Sequence, residues 1–330
     1  MKRITGLILA AAVALPVAGC GGDSGMSTFT CTATGTDLKF VANSLTVPAT
    51  KNDFAVDLDG DGVPDNALGR IIAALNSQNL MTQDGVNKAV ADGSVVLLMD
   101  ETADSTSMSS CAEVKVAIGN TPAAPPKYDG SDTFTVKSQS GDLKGQITNS
   151  AFTSLPAPVT ATTPYTMSLQ LPLVSGSAPV DLEITGARLS FTNAGGGIMK
   201  GQINGAIKNS DVQGKIIPSV AGILQMKVAA DPTSSTNMQI LGLFDTGGTA
   251  DPACNGACKN PDGTCAVAND KKIDICEVST NTIIKGVLAP DVQLFDASGN
   301  YKPTKKGAAG YTMADSLSLG LSFTAVKASF

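Results

Sequence analysis

Apolar residues recur along this chain in two rhythms, and each rhythm predicts an element. Leu317, Leu319, Leu321 and Phe323 alternate with small or polar residues, the period of a strand that buries one face. Phe54, Val56 and Leu58 keep the same period, so an extended strand is expected to run into the acidic stretch at Asp57. A looser alternation between Thr28 and Val47, through Phe29, Leu38, Phe40, Val41, Leu45 and Val47, predicts two strands. The rhythm then changes. Leu68, Ile71, Ile72 and Leu75 fall at i, i+3, i+4 and i+7, one apolar face of a helix over Asn66 to Ser77. A second helix is expected over Asp84 to Ala91, closed by Gly93. Val95 to Met99 and Cys111 to Ile118 read as buried strands.

Thr121 to Lys127 is too rich in proline for a helix or a central strand, and predicts a linker or long loop. Beyond it, strands are expected at Thr133–Ser138, Leu143–Asn149, Tyr165–Val174, Val180–Thr185, Arg188–Thr192 and Ile198–Ile207. A second proline-rich stretch, Leu155 to Pro164, joins two of them. Leu143–Ile147 and Met199–Ile203 share the pattern Lys-Gly-Gln-Ile after an apolar residue, either a repeated strand or a coincidence. Val212 to Lys227 predicts a helix broken or started near Pro218, and Thr280 to Leu288 predicts another. The expected fold class is mainly β with helices added (α+β): an antiparallel, sandwich-like domain with a few short helices, one following the acidic loop. A terminal Phe330 after an alternating strand is also a feature of outer-membrane barrels. The apolar phase flips between Phe323 and Val326, however, which favours the buried last strand of an ordinary sheet.

Composition narrows the chemistry. Glycine (34), proline (17) and a charged fraction of only 16% beside 42% hydrophobic residues suit a packed, strand-rich chain and do not suit disorder. Aromatic residues are 4% with no Trp, a poor supply of stacking platforms for bases or sugars. Histidine is absent, which excludes Ser-His-Asp and Cys-His catalysis and His-ligated zinc or haem. No paired carboxylates can be placed for acid–base work, so the reading leans away from an enzyme. Net charge is −6, from 23 basic and 29 acidic side chains, with no basic cluster; nucleic acid is therefore not an expected partner.

The first residues carry an address. Lys2 and Arg3 precede an apolar stretch from Ile4 to Val13, and Leu15 to Gly19 then leads to Cys20. This resembles the lipobox of bacterial lipoproteins, which implies a signal peptide over 1–19, a lipid on Cys20 and a flexible tether over 20–27. Gly21, with no aspartate there, points to outer-membrane localisation. The remainder divides into a strand, acidic-loop and helix region (28–120), the proline-rich 121–127, and a β-rich region (128–330) with a cysteine-rich insertion at 251–277; 28–330 also reads as one domain. With Cys20 assigned to lipid, Cys31, Cys111, Cys254, Cys258, Cys265 and Cys276 remain. An even set in an exported chain predicts three disulfides: the last four pair among themselves, with connectivity open, and Cys31 is left for Cys111. A four-thiolate zinc site is the rival for the cluster, but the spacing lacks paired C-x2-C knuckles.

The sharpest chemical signal is Asp57-Leu58-Asp59-Gly60-Asp61-Gly62-Val63-Pro64-Asp65. Carboxylates at every second residue can converge on one hard cation if the backbone wraps around it, and glycine at the sixth position permits the turn. Asp57, Asp59, Asp61, the Val63 carbonyl and Asp65 are the expected ligands of a structural calcium ion. The loop resembles those of EF-hand-like proteins, dockerins and thrombospondin type 3 repeats, but Leu68 stands where an EF-hand has its bidentate Glu, which speaks against a calmodulin-type switch. The bland alternative is an acidic surface turn. A second, degenerate loop places Asp270, Asp274 and Glu277 at ligand positions, with disulfides as the competing local staple.

The mature chain is similar to a family of uncharacterised Gram-negative lipoproteins in its lipobox, in Asp57–Gly69, in Leu288–Val292 and in Asp315–Ala325. The resemblance implies an exported, β-rich protein with a calcium loop and carries no activity with it. Three functions are then open: a non-enzymatic surface module binding an envelope polysaccharide or protein, a carboxylate- or calcium-dependent enzyme acting on polysaccharide, or a structural coat of the outer membrane.

Overall fold

Successive alternating segments pair antiparallel with their neighbours until the first and last meet. The computed structural model describes residues 31–77, 83–155, 164–172 and 178–330. The strands are β1 (Thr36–Thr46), β2 (Leu97–Ala103), β3 (Met108–Gly119), β4 (Val136–Thr148), β5 (Ala151–Ser154), β6 (Thr166–Leu171), β7 (Val180–Ala194), β8 (Gly197–Lys208) and β9 (Ser316–Lys327). Their order is β5-β4-β3-β2-β1-β9-β8-β7-β6, and β5 also pairs with β7. That last pairing closes eight antiparallel strands into a barrel, with β6 as a ninth strand along the first half of β7.

The expected sandwich is therefore corrected to a closed barrel. The reason is local. Asn149 and Ser150, both with positive φ, make a two-residue turn that folds β5 back on β4. The other edge of β5 is then free to take Ala151, Phe152 and Thr153 against Thr192, Phe191 and Ser190 of β7. Register shifts in β1, β3, β7 and β8 supply the extra bending that closure needs.

The barrel interior is filled with side chains. Phe40, Leu45, Leu97, Met99, Val114, Leu143, Phe152, Ile184, Leu189, Ile203, Leu319 and Phe323 all lie in one buried apolar cluster. Inside it the two similar segments share a role: a Cβ on Gly145 or Gly201 would collide with the ring of Phe152 or Phe323 respectively. The outer wall carries ion pairs, with Lys39 near Asp100, Lys115 and Lys144 near Glu113, and Lys208 near Glu183. Two further parts of the outer wall are apolar and covered by loops: Val41, Leu98 and Ala117 lie under Phe134, and Ala206 lies under Leu58, Val292 and Leu294.

Helices cover the end where β1 and β8 finish: α1 (Ala67–Ser77), α2 (Gln83–Ala91), α3 (Asn209–Asp211), a π-helical turn (Val212–Ile216), α4 (Ile217–Ala230), α5 (Ser235–Phe244), α6 (Ile275–Thr280) and α7 (Thr282–Val287). Leu68, Ile71, Val86, Val90, Ile216, Ile217 and Leu224 join the interior cluster from them. Pro218 sits in the first turn of α4, directly after the π-helical turn, where the regular helical hydrogen-bond ladder is already interrupted. Gln83 at the start of α2 caps β1 by accepting from Val47 N–H and donating to the Leu45 carbonyl. Among the described residues the opposite end is an open mouth, rimmed by the β2–β3, β4–β5 and β7–β8 turns.

Several expected elements change form. One strand, β1, occupies the described part of Thr28–Val47; Thr28 and Phe29 lie outside the described residues. Phe54 takes positive φ within a turn, and Val56 makes only a single bridge to Asp65, so no strand leads into the acidic loop. Residues 121–127 connect β3 to β4, which pair directly, and are thus a loop within one barrel. Most of Leu155–Pro164 and the end of Tyr165–Val174 fall outside the described residues.

Candidate metal centre

The acidic loop lies against the outer wall of the barrel. Asp57, Asp59 and Asp61 each offer a carboxylate oxygen, and these oxygens lie within 4.8 Å of one another. Three carboxylate oxygens this close together are a donor set that one hard cation could share. Among the described residues no other group of three or more acidic or cysteine side chains gathers in this way.

The loop organises itself through its own backbone. The two carboxylate oxygens of Asp57 accept from Gly60 N–H (2.7 Å) and Gly62 N–H (2.9 Å). Asp59 accepts from Asp61 N–H, and Asp61 from Val63 N–H at 2.6 Å. Gly62 takes φ +84°, the left-handed region that the sixth position requires. Asp65 is placed behind the trio: its backbone bridges Val56 and its carboxylate accepts from Leu58 N–H at 2.9 Å. Burial, reinforced by the charges of Asp59, Asp291 and Asp61 and opposed by the Leu58 N–H, pushes the Asp65 carboxyl up to about 7. Burial likewise raises Asp59, with Asp61, Asp57 and Asp291 adding to it.

Asp291 is the residue that sequence reasoning missed. It is drawn to the loop by β9: its carboxylate accepts from Ser318 N–H (2.8 Å) and from the Ser318 hydroxyl (2.5 Å). The same hydroxyl accepts from Ala67 N–H, the first residue of α1, at 2.7 Å. Asn66 caps α1 and also bonds the Gly320 backbone. Arg188 of β7 donates to the Asp57 carbonyl at 2.7 Å. Three segments singled out in the sequence, Asp57–Gly69, Leu288–Val292 and Asp315–Ala325, thus converge at one place. Only the pattern Leu288–Val292 signalled Asp291 beforehand.

The second group is not brought together. Asp274 and Glu277 form the capping box of α6, and the Glu277 oxygens accept from Gly247 N–H and Asp274 N–H. Asp270 instead accepts from Lys272 N–H. The cysteines pair as Cys31–Cys111, Cys254–Cys265 and Cys258–Cys276, which fixes the connectivity of the cluster and uses the thiols a zinc ion would need. Cys20 lies outside the described residues. Among the described residues no helix is long and apolar enough to cross a membrane.

Comparison with protein-family models, with curated proteins and with solved structures gives no match to this chain.

Proposed function

We propose that this chain is a lipid-anchored cell-envelope protein, held to the outer membrane through Cys20, whose barrel acts as a non-enzymatic binding module and whose acidic loop takes calcium as a structural staple. The single observation that carries the metal part is the spacing of the Asp57, Asp59 and Asp61 oxygens. A cation there would offset the mutual repulsion of the trio and fix the loop onto β9 and the start of α1. The lipobox-like start and the three disulfides support an exported setting. The absence of histidine favours binding over hydrolysis.

The test is calcium titration of the full chain, read by melting temperature, beside Asp59→Ala and Asp61→Ala. A saturable rise in the parent that both substitutions remove supports the staple. A parent melting temperature that stays flat through millimolar calcium removes it.

A further inference from the structure

We propose that the open mouth of the barrel binds a small ligand carrying a primary ammonium group on an apolar stem, with Glu101 as the anion that receives it. Glu101 points into the barrel between Met99 and Ala103 and is only 1% exposed. Across the lumen, Asn193 Nδ2 donates to both of its carboxylate oxygens at 3.1 Å. Among the described residues no lysine or arginine forms an ion pair with it. The Asn193 Oδ1 is itself buried without a donor. Two depressions of about 340 Å³ each open at this mouth, one lined by Glu101 and the other by Asn193, and they share Leu38 and Thr106.

The chemistry of these acceptors selects the ligand. A carboxylate and an amide oxygen together call for several N–H donors and one positive charge, which an ammonium supplies and an alcohol does not. A carboxylate ligand would meet a like charge. Leu38, Phe40 and Ala103 offer an apolar wall to the stem, while Lys327 and Asp104 stand at the rim. Such a mouth, apolar with a few convergent polar atoms, is a common form of small-molecule site in barrels. The inference does not rest on the calcium reading.

The test uses n-butylammonium, n-butanol and butyrate on the full chain, followed through the methyl signals of Leu38, Met99 and Ala103. Butylammonium is expected to give saturable shifts at least tenfold tighter than butanol, and butyrate none. Glu101→Gln should weaken butylammonium at least tenfold while leaving the remaining methyl spectrum folded. In the unmodified chain, saturating butylammonium should lower the titration midpoint of the Glu101 carboxyl carbon, a readout that stands even if the variant does not fold. Equal affinity for butanol, an unmoved midpoint, or an unchanged affinity in a folded Glu101→Gln would overturn the proposal and leave the Glu101–Asn193 pair as a self-contained structural contact.

Discussion

Asn66 engages the backbone of Gly320 in the way a neighbouring strand would: its Nδ2 donates to the Gly320 carbonyl at 3.2 Å and its Oδ1 accepts from the Gly320 N–H at 3.1 Å. A side chain thus supplies the pairing that the middle of β9 lacks on its β1 edge, where β1 ends opposite Ser322, and it couples the acidic loop, the start of α1 and the barrel wall. Gly320 has to lack a side chain for this, because a Cβ there would lie 2.1 Å from the Phe54 carbonyl oxygen.

Asn66→Ala removes both bonds, together with those to the Asp53 carbonyl and the Gly69 N–H, and leaves buried groups unmet, so a loss of about 2–3 kcal/mol is expected in denaturant unfolding. Gly320→Ala should cost a comparable amount by overpacking. The two losses should not add in the double variant, since either change detaches the same segment. Full additivity would show that the segment is held elsewhere.

Calcium at a hundred times its dissociation constant should stabilise the folded chain by about 2.7 kcal/mol, a rise of roughly 5 °C or more. Asp65→Asn keeps an acceptor for Leu58 N–H and removes one buried charge from beside Asp59 and Asp291. Without metal, this variant should melt above the parent at pH 8. Its calcium response should be weaker than the parent's yet still present, because the Asp57, Asp59 and Asp61 trio is intact. Calorimetry with and without chelator separates the two effects.

Glu101 gives a pH signature. Burial raises its carboxyl above the ordinary value of 4.5, and the Asn193 amide offsets only part of the rise. Between 4.5 and the raised folded value, the folded chain keeps a proton that the unfolded chain has released. Stability from this group is therefore greatest at low pH, falls as pH climbs through that window, and levels off above it. Glu101→Gln should remove this slope, melting higher than the parent at neutral pH and showing the smallest difference near pH 4. A parallel pair of pH profiles would contradict the assignment.

The Cys31–Cys111 bridge spans 80 residues, against 11 and 18 for the other two. The loss of loop-closure entropy in the unfolded chain predicts about 4–5 kcal/mol for the long one and about 3 kcal/mol for each short one. Replacing Cys31 and Cys111 together by alanine should therefore lower the unfolding midpoint more than either replacement within the cysteine-rich segment. The reverse order would place strain or residual unfolded-state structure above loop length.

Local rhythm was legible and long-range closure was not. The helix over Ala67–Ser77 and the strand Ser316–Lys327 follow directly from their apolar spacing. Val180–Thr185 and Arg188–Thr192 read as two strands because a register shift between Thr185 and Arg188 breaks the alternation within one, β7. The ring depends on four residues of β5 meeting β7, a contact with no local trace. The acidic trio was legible because its ligand spacing is local. Asp291 reaches it only through Ser318, more than two hundred residues beyond the loop in sequence.

The long disulfide also sets where the chain leading to the N-terminal segment leaves the barrel. Cys111 stands near the beginning of β3, so Cys31 leaves the molecule beside the barrel mouth. Ten residues, and so eleven Cα–Cα steps, separate Cys20 from Cys31. Fully stretched they reach about 40 Å. On the lipid anchor proposed above, the attachment would leave the barrel from its mouth end, opposite the helical lid, and a flexible tether of this reach would set the distance to the bilayer and not the tilt of the barrel.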